Sequence, residues 1–142
     1  MIDERSVIRM KFPYPSINSR LAVQAHMYIC KSSEHPKFSF VKCQTLKPYM
    51  LINNPLRHFI DELVNIERNP FSRTTRIDCD KLFSTWKVSY GDGLLATRRH
   101  DVCQALYDDV LAELEQDGWE DVAIENEREI AELNPLITFI EE

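Results

Sequence analysis

A mainly β domain with helices, of the α+β class, is what this 142-residue sequence predicts, on three observations. Short alternating or continuous apolar segments succeed one another as far as Tyr90, whereas apolar residues at clear helical spacing dominate only after Asp101. The composition, 44% hydrophobic and 28% charged with only 3 Gly, belongs to an ordinary globular chain and excludes disordered, fibrous and low-complexity classes. The length fits one domain.

Ser6 to Phe12 alternates, with Ile8, Met10 and Phe12 on one side and Arg9 and Lys11 on the other, as a half-buried strand does. Pro13-Tyr14-Pro15-Ser16-Ile17-Asn18-Ser19 interrupts ladder bonding and reads as a loop. Leu21 to Cys30 is nearly continuous in apolar residues and suits a central strand, and Phe38 to Thr45 makes a third. Between Lys47 and Asn69, the spacing of Leu56, Phe59, Ile60, Leu63 and Val64 predicts a short helix that Asn69-Pro70 ends. Thr74 to Cys79 predicts a strand, Asp80 to Phe83 a turn, and Trp86 to Tyr90 a further strand closed by Gly91-Asp92-Gly93. Asp101 is the expected N-cap of a helix whose face is Val102, Ala105, Leu106, Val110 and Leu114, ending at Gly118.

The net charge of −6 conceals a division. Residues 1–100 carry 16 Lys and Arg against 9 Asp and Glu, and residues 101–142 carry 1 against 14. A basic body suits a polyanion, and an acidic segment suits a role in interaction. Residues 118–142 also hold Trp119, Ile130, Leu133, Leu136 and Phe139, so two readings stand: an acidic-apolar extension packed on the domain of residues 1–117, or a segment, part of 119–142, that screens the basic groove of its own subunit or of a dimer mate.

Several classes are excluded. No apolar run is long enough for a membrane span or forms a leader behind Met1, so a cytoplasmic protein with no membrane contact is expected. P-loop, G-x-G-x-x-G, G-x-S-x-G and H-E-x-x-H patterns are missing. The widely spaced Cys30, Cys43, Cys79 and Cys103 suit reduced thiols, and no metal or other cofactor is expected. Asp78 and Asp80 look like paired carboxylates, but at a strand–turn junction they read first as a turn cap. His26 reads as a core histidine, and His58 and His100 as surface ones.

What remains is an order of segments. A strand ends in Phe12-Pro13-Tyr14; Ser19-Arg20-Leu21-Ala22-Val23 opens the next; a third ends at Thr45; and Ile77-Asp78-Cys79-Asp80-Lys81-Leu82-Phe83-Ser84 precedes a glycine, Leu94-Leu95 and a helix. Over residues 5–116 this order resembles the MazF/PemK toxins of bacterial toxin–antitoxin modules, in the CcdB/MazF superfamily. The resemblance implies a small SH3-like β-barrel with a C-terminal helix. It also implies an endoribonuclease that cleaves single-stranded RNA such as mRNA without metal, acts as a homodimer and is silenced by an antitoxin. Arg20 and Thr45 take the catalytic positions, and Tyr14, Ser16, Asn18 and Ser19 fall in the RNA-binding loop. Leu21 stands where the family usually has proline, and the stretch from Lys47 to Arg68 is longer than in compact members.

The chemistry suits those residue types. If the RNA 2′-hydroxyl attacks its own phosphate, the protein need only move protons and stabilise charge on the phosphorane oxygens. A guanidinium offers a fixed fork of donors and a threonine hydroxyl one short donor. Phe12, Tyr14, Tyr49 and Trp86 are candidate stacking faces, although the alternation places Phe12 in the core. The bland readings are a surface arginine for Arg20 and an ordinary strand residue for Thr45. Two other functions stand beside this one: a CcdB-like poison of DNA gyrase, which the ending Thr138-Phe139-Ile140-Glu141-Glu142 disfavours, and a non-catalytic member that binds RNA or protein.

Overall fold

A computed structural model describes residues 2–12, 24–34, 36–53 and 56–140. Its centre is strand β3 (Phe38–Thr45). On one side β3 pairs with β2 (His26–Ser32), which pairs in turn with β1 (Val7–Met10), all antiparallel. On the other side, β3 has two successive partners. Cys43–Thr45 pairs with β5 (Thr75–Asp78), and Phe38–Phe40 pairs with β6 (Lys81–Thr85). The partner positions Phe40↔Phe83 and Cys43↔Ile77 lie three residues apart on β3 and six apart on the opposite strand. Asp78, Cys79 and Asp80 take up the excess as a corner, as bulged residues do. Beyond the corner, β4 (Phe59–Glu62) pairs with β5, and β8 (Glu120–Ala123) runs parallel to β6.

Among the described residues this seven-stranded sheet is open, and a second sheet joins β7 (Val88–Tyr90) to β9 (Ile137–Phe139). The helices are α1 (Pro48–Ile52), α2 (Gln104–Glu115) and α3 (Glu127–Leu133), with a 3-10 turn over Asp92–Leu94. The predicted α+β, mainly β class holds. No helix of the described residues is long and apolar enough to cross a membrane.

Strand alternation divides the core in two. Ile8, Met10, Phe12, Tyr28, Phe40 and Phe83 face a layer built from β7, β9 and α3, which contribute Tyr90, Ile130 and Ile137. Val7, Ile29, Val41, Cys43 and Ile77 face α2, which contributes Leu106, Val110 and Leu114. Phe12 is fully buried and meets Tyr28 edge-on at 5.2 Å, so its place in the core is as the alternation predicts.

Four expectations are corrected. The segment expected to form a helix contains α1 and strand β4 instead, and Leu63 is 71% exposed. Apolar spacing there fits either element; what decides is pairing with β5, locked by Arg76, whose Nε and Nη2 donate to Asp61 at 2.7 and 2.8 Å. The expected turn at Asp80 to Phe83 lies mostly in β6, because Phe83 completes the apolar face opposite Phe40. Trp86 is not in a strand: the Trp86 and Lys87 backbone N–H groups donate to the buried Glu127 carboxylate, and β7 starts at Val88. The N-cap of α2 is Cys103, whose Sγ accepts from Leu106 N at 3.4 Å, while Asp101 accepts from Arg99 Nε at 2.7 Å.

The acidic segment is built into the fold. Ile124, Ile130 and Ile137 are buried. Asn134 acts as a substitute strand partner, its side chain accepting from Lys11 N and donating to Lys11 O, both at 2.7 Å. Gly91 N donates to Leu136 O at 2.9 Å, and a Cβ on Gly91 would lie 2.9 Å from the same oxygen, so this approach requires glycine.

Candidate nucleic-acid interface

Thr45 ends β3 opposite Thr75 and is exposed. Alternation puts Thr45 on the α2 face of the sheet with Cys43, Val41 and, from β1, Arg9. Below that face lies a cavity of about 120 Å³ lined by Arg9, Thr45, Phe71, Arg73 and Thr75 among others. Among the described residues its lining includes Arg9 and Arg73 and no Asp or Glu.

Arg73 owes its place to a pinned loop. Asn69 is fully buried; its Nδ2 donates to Glu62 Oε2 at 2.8 Å and to Leu63 O at 3.0 Å, while its Oδ1 accepts from Phe71 N at 3.1 Å. Arg68 adds an ion pair with Glu62 at 2.9 Å. Phe71 enters the core beside Cys43, and Thr75 Oγ1 donates to Arg73 O at 2.9 Å. The sequence hid this arrangement, because Glu62, which accepts from both Asn69 and Arg68, lies in β4, which periodicity alone misreads.

On the opposite face a second cavity, of about 210 Å³, is lined by His26, Lys42, Gln44, Lys47, Tyr49 and Met50 among others. It shares Ala25, His26, Gln44 and Thr45 with the first, so the two meet around the end of β3. Its lining too contains no carboxylate among the described residues. Burial holds the Lys42 ammonium below its ordinary pKa against the opposing pull of Asp78, with Lys81 adding to the depression. Its lining residue Met50 is held from outside the cavity: Arg76, with a side chain 4% exposed, donates to Met50 O at 3.0 Å, grips Asp61 and covers the Phe59 ring at 4.1 Å. This fixes α1 and, with it, Lys47 and Tyr49.

Of the residues singled out from sequence, Thr45 and Tyr49 meet here. Arg20, Tyr14, Ser16, Asn18 and Ser19 lie outside the described residues. Trp86 follows Thr85, which pairs with Phe38 at the other end of β3, so it is removed from Thr45 as a stacking face. Asp78 and Asp80 form the expected turn cap: Asp80 N donates to Asp78 Oδ1 at 2.8 Å, and the Asp80 carboxylate accepts from the backbone of Arg57 and His58 at 2.8 and 3.0 Å. Burial raises the Asp78 pKa. Among the described residues no three His, Cys, Asp or Glu side chains cluster as metal ligands. His26 is half-buried and lines both cavities, and His100 is exposed.

His58 departs from the surface reading. Its side chain is 12% exposed and sits between Asp117 Oδ2 at 2.8 Å and Glu113 Oε1 at 3.2 Å. Hydrogen bonds to Asp117 and then Glu113 raise its pKa above 6.5. Among the described residues, none from 101 to 140 lines either cavity. Sequence reasoning missed Arg9, Arg73, Lys42 and Lys47. Only the outward position of Arg9 on an alternating strand pointed toward them.

No family model matches the chain, and neither the curated proteins nor the solved structures hold a match to it.

Proposed function

We propose that the chain is a toxin-type endoribonuclease, cleaving single-stranded RNA without metal through attack of the substrate's 2′-hydroxyl. The observation that carries this reading is the cavity beside Thr45, lined by Arg9 and Arg73 and, among the described residues, by no Asp or Glu. Anions are recognised by such guanidinium forks in a recess free of competing carboxylates. The 2′-oxygen forms its bond to phosphorus as the bond to the 5′-oxygen breaks, and charge gathered on the non-bridging oxygens is met by the arginines and the Thr45 hydroxyl. In this proposal His26, which lines both cavities, takes the proton from the 2′-hydroxyl, and a proton returns to the 5′-oxygen, which departs as a 5′-hydroxyl. Arg20 joins this site in the proposal: it stands four positions before Gln24, which lines the second cavity, a span of at most about 14 Å of extended chain. The wider reading includes an SH3-like barrel, a homodimer, a cytoplasmic setting and an antitoxin that occupies the groove.

The test is cleavage of single-stranded RNA in EDTA, with product ends identified. The expected products are a 2′,3′-cyclic phosphate and a 5′-hydroxyl, with DNA and 2′-O-methyl RNA left intact. Thr45→Val keeps the branched shape, so it should lower turnover with the melting temperature unchanged, and Arg20→Ala should abolish cleavage. Strict dependence on magnesium, or full activity in Arg20→Ala, would sink the assignment.

A further inference from the structure

We propose that the second cavity is a nucleobase subsite, in which an RNA strand crossing the end of β3 stacks one base on the Tyr49 ring and sets the adjoining phosphate against Lys47. This rests on the reading of the Thr45 groove as an RNA site and adds a place for a neighbouring nucleotide.

Three observations carry it. The cavities share Ala25, His26, Gln44 and Thr45, so a strand held at one continues into the other. The second is lined by Lys42 and Lys47 and, among the described residues, by no acid, which suits a phosphate. Tyr49 is 53% exposed at its wall, while its neighbour Met50 is buried and held through its carbonyl by Arg76, so the ring stands on a fixed mount. A phosphate alone has no use for an aromatic face. A single-stranded nucleic acid uses both, since bases stack on rings while cations follow the backbone. Residues 47–49 also lie in the stretch that is longer than in compact MazF/PemK proteins, so this subsite is read from the geometry and not from the resemblance.

The experiment is equilibrium binding of a mixed-sequence, single-stranded 2′-O-methyl RNA of about 12 nucleotides, which cannot supply the attacking hydroxyl, over a range of salt concentrations. Tyr49→Ala should weaken binding about tenfold. Tyr49→Phe should bind as wild type. Lys47→Ala should flatten the dependence of log K on log salt by about 0.7. Should Tyr49→Ala fail to fold, Tyr49→Leu keeps apolar bulk without a π face and should show the same loss. Wild-type affinity and salt slope in all these variants would overturn the subsite while leaving the RNA reading intact. A wild-type protein that binds no RNA at low salt would remove that reading, and the subsite with it.

Discussion

The two ends of β3 differ in everything but their pairing. At the Phe38 end, Phe38 and Phe40 stack with centroids 6.3 Å apart and Tyr90 meets them edge-on at 5.0 and 5.1 Å. Polar groups there are satisfied in pairs: Ser39 and Ser84 hydroxyls at 3.0 Å, Ser84 Oγ to Asp121 at 2.8 Å, and Thr85 with Tyr90 at 2.7 Å. At the Thr45 end Cys43 is paired with both β2 and β5, and Gln44 and Thr45 with β5, yet cavities open on both faces and cations line them. Pairing fixes the backbone; what covers the faces decides whether a strand end becomes core or site. The overall acidity of the chain says nothing against a basic recess, because the acids of residues 101–140 line neither cavity.

The contrast can be broken most severely at its packed end. Phe40→Ala removes a fully buried ring from the aromatic cluster and should cost about 3–5 kcal/mol, read as a shift of the denaturant midpoint. At the open end, Arg9→Ala and Arg73→Ala should each change stability by less than about 0.5 kcal/mol while lowering the salt slope of RNA binding by about 0.7. Equal stability losses at the two ends would erase the distinction.

The smallest effect belongs to His58, away from both ends. Its folded pKa is raised, so its contribution to stability is fully present below 6.5 and is lost as pH rises through the folded value. The melting temperature of wild type should therefore exceed that of His58→Gln at about pH 5.5 and lose that margin as pH rises through the folded value. An unchanged margin would show that the contacts with Glu113 and Asp117 do not depend on charge.

Elements with a single strong period were legible in the sequence. Phe38 to Thr45 is a strand over its whole predicted length, and Leu106, Val110 and Leu114 form the inner face of α2 as their spacing requires. The strand β4 was illegible because its deciding contact, Arg76 with Asp61, joins residues fifteen apart and leaves no local mark. The site was legible in the same proportion. Thr45 and Tyr49 carry chemistry that draws attention anywhere, but an exposed arginine reads alike on every surface, and only the register across β1, β2, β3 and β5 brings Arg9 and Arg73 to one recess.

The stitching of residues 120–139 into the body bears on how the chain acquires its shape during synthesis. Ile8 and Phe40 are sealed by Ile130 and Ile137, and the backbone of Lys11 is held by Asn134, a residue 123 positions later. Strands that wait for such distant partners form slowly, because the entropy of closing a long loop is lost before any contact repays it. A ribosome must deliver Phe139 before the first strand's core is closed. The strand that carries Arg9 is therefore closed against its core only after residues 130–139 have been made.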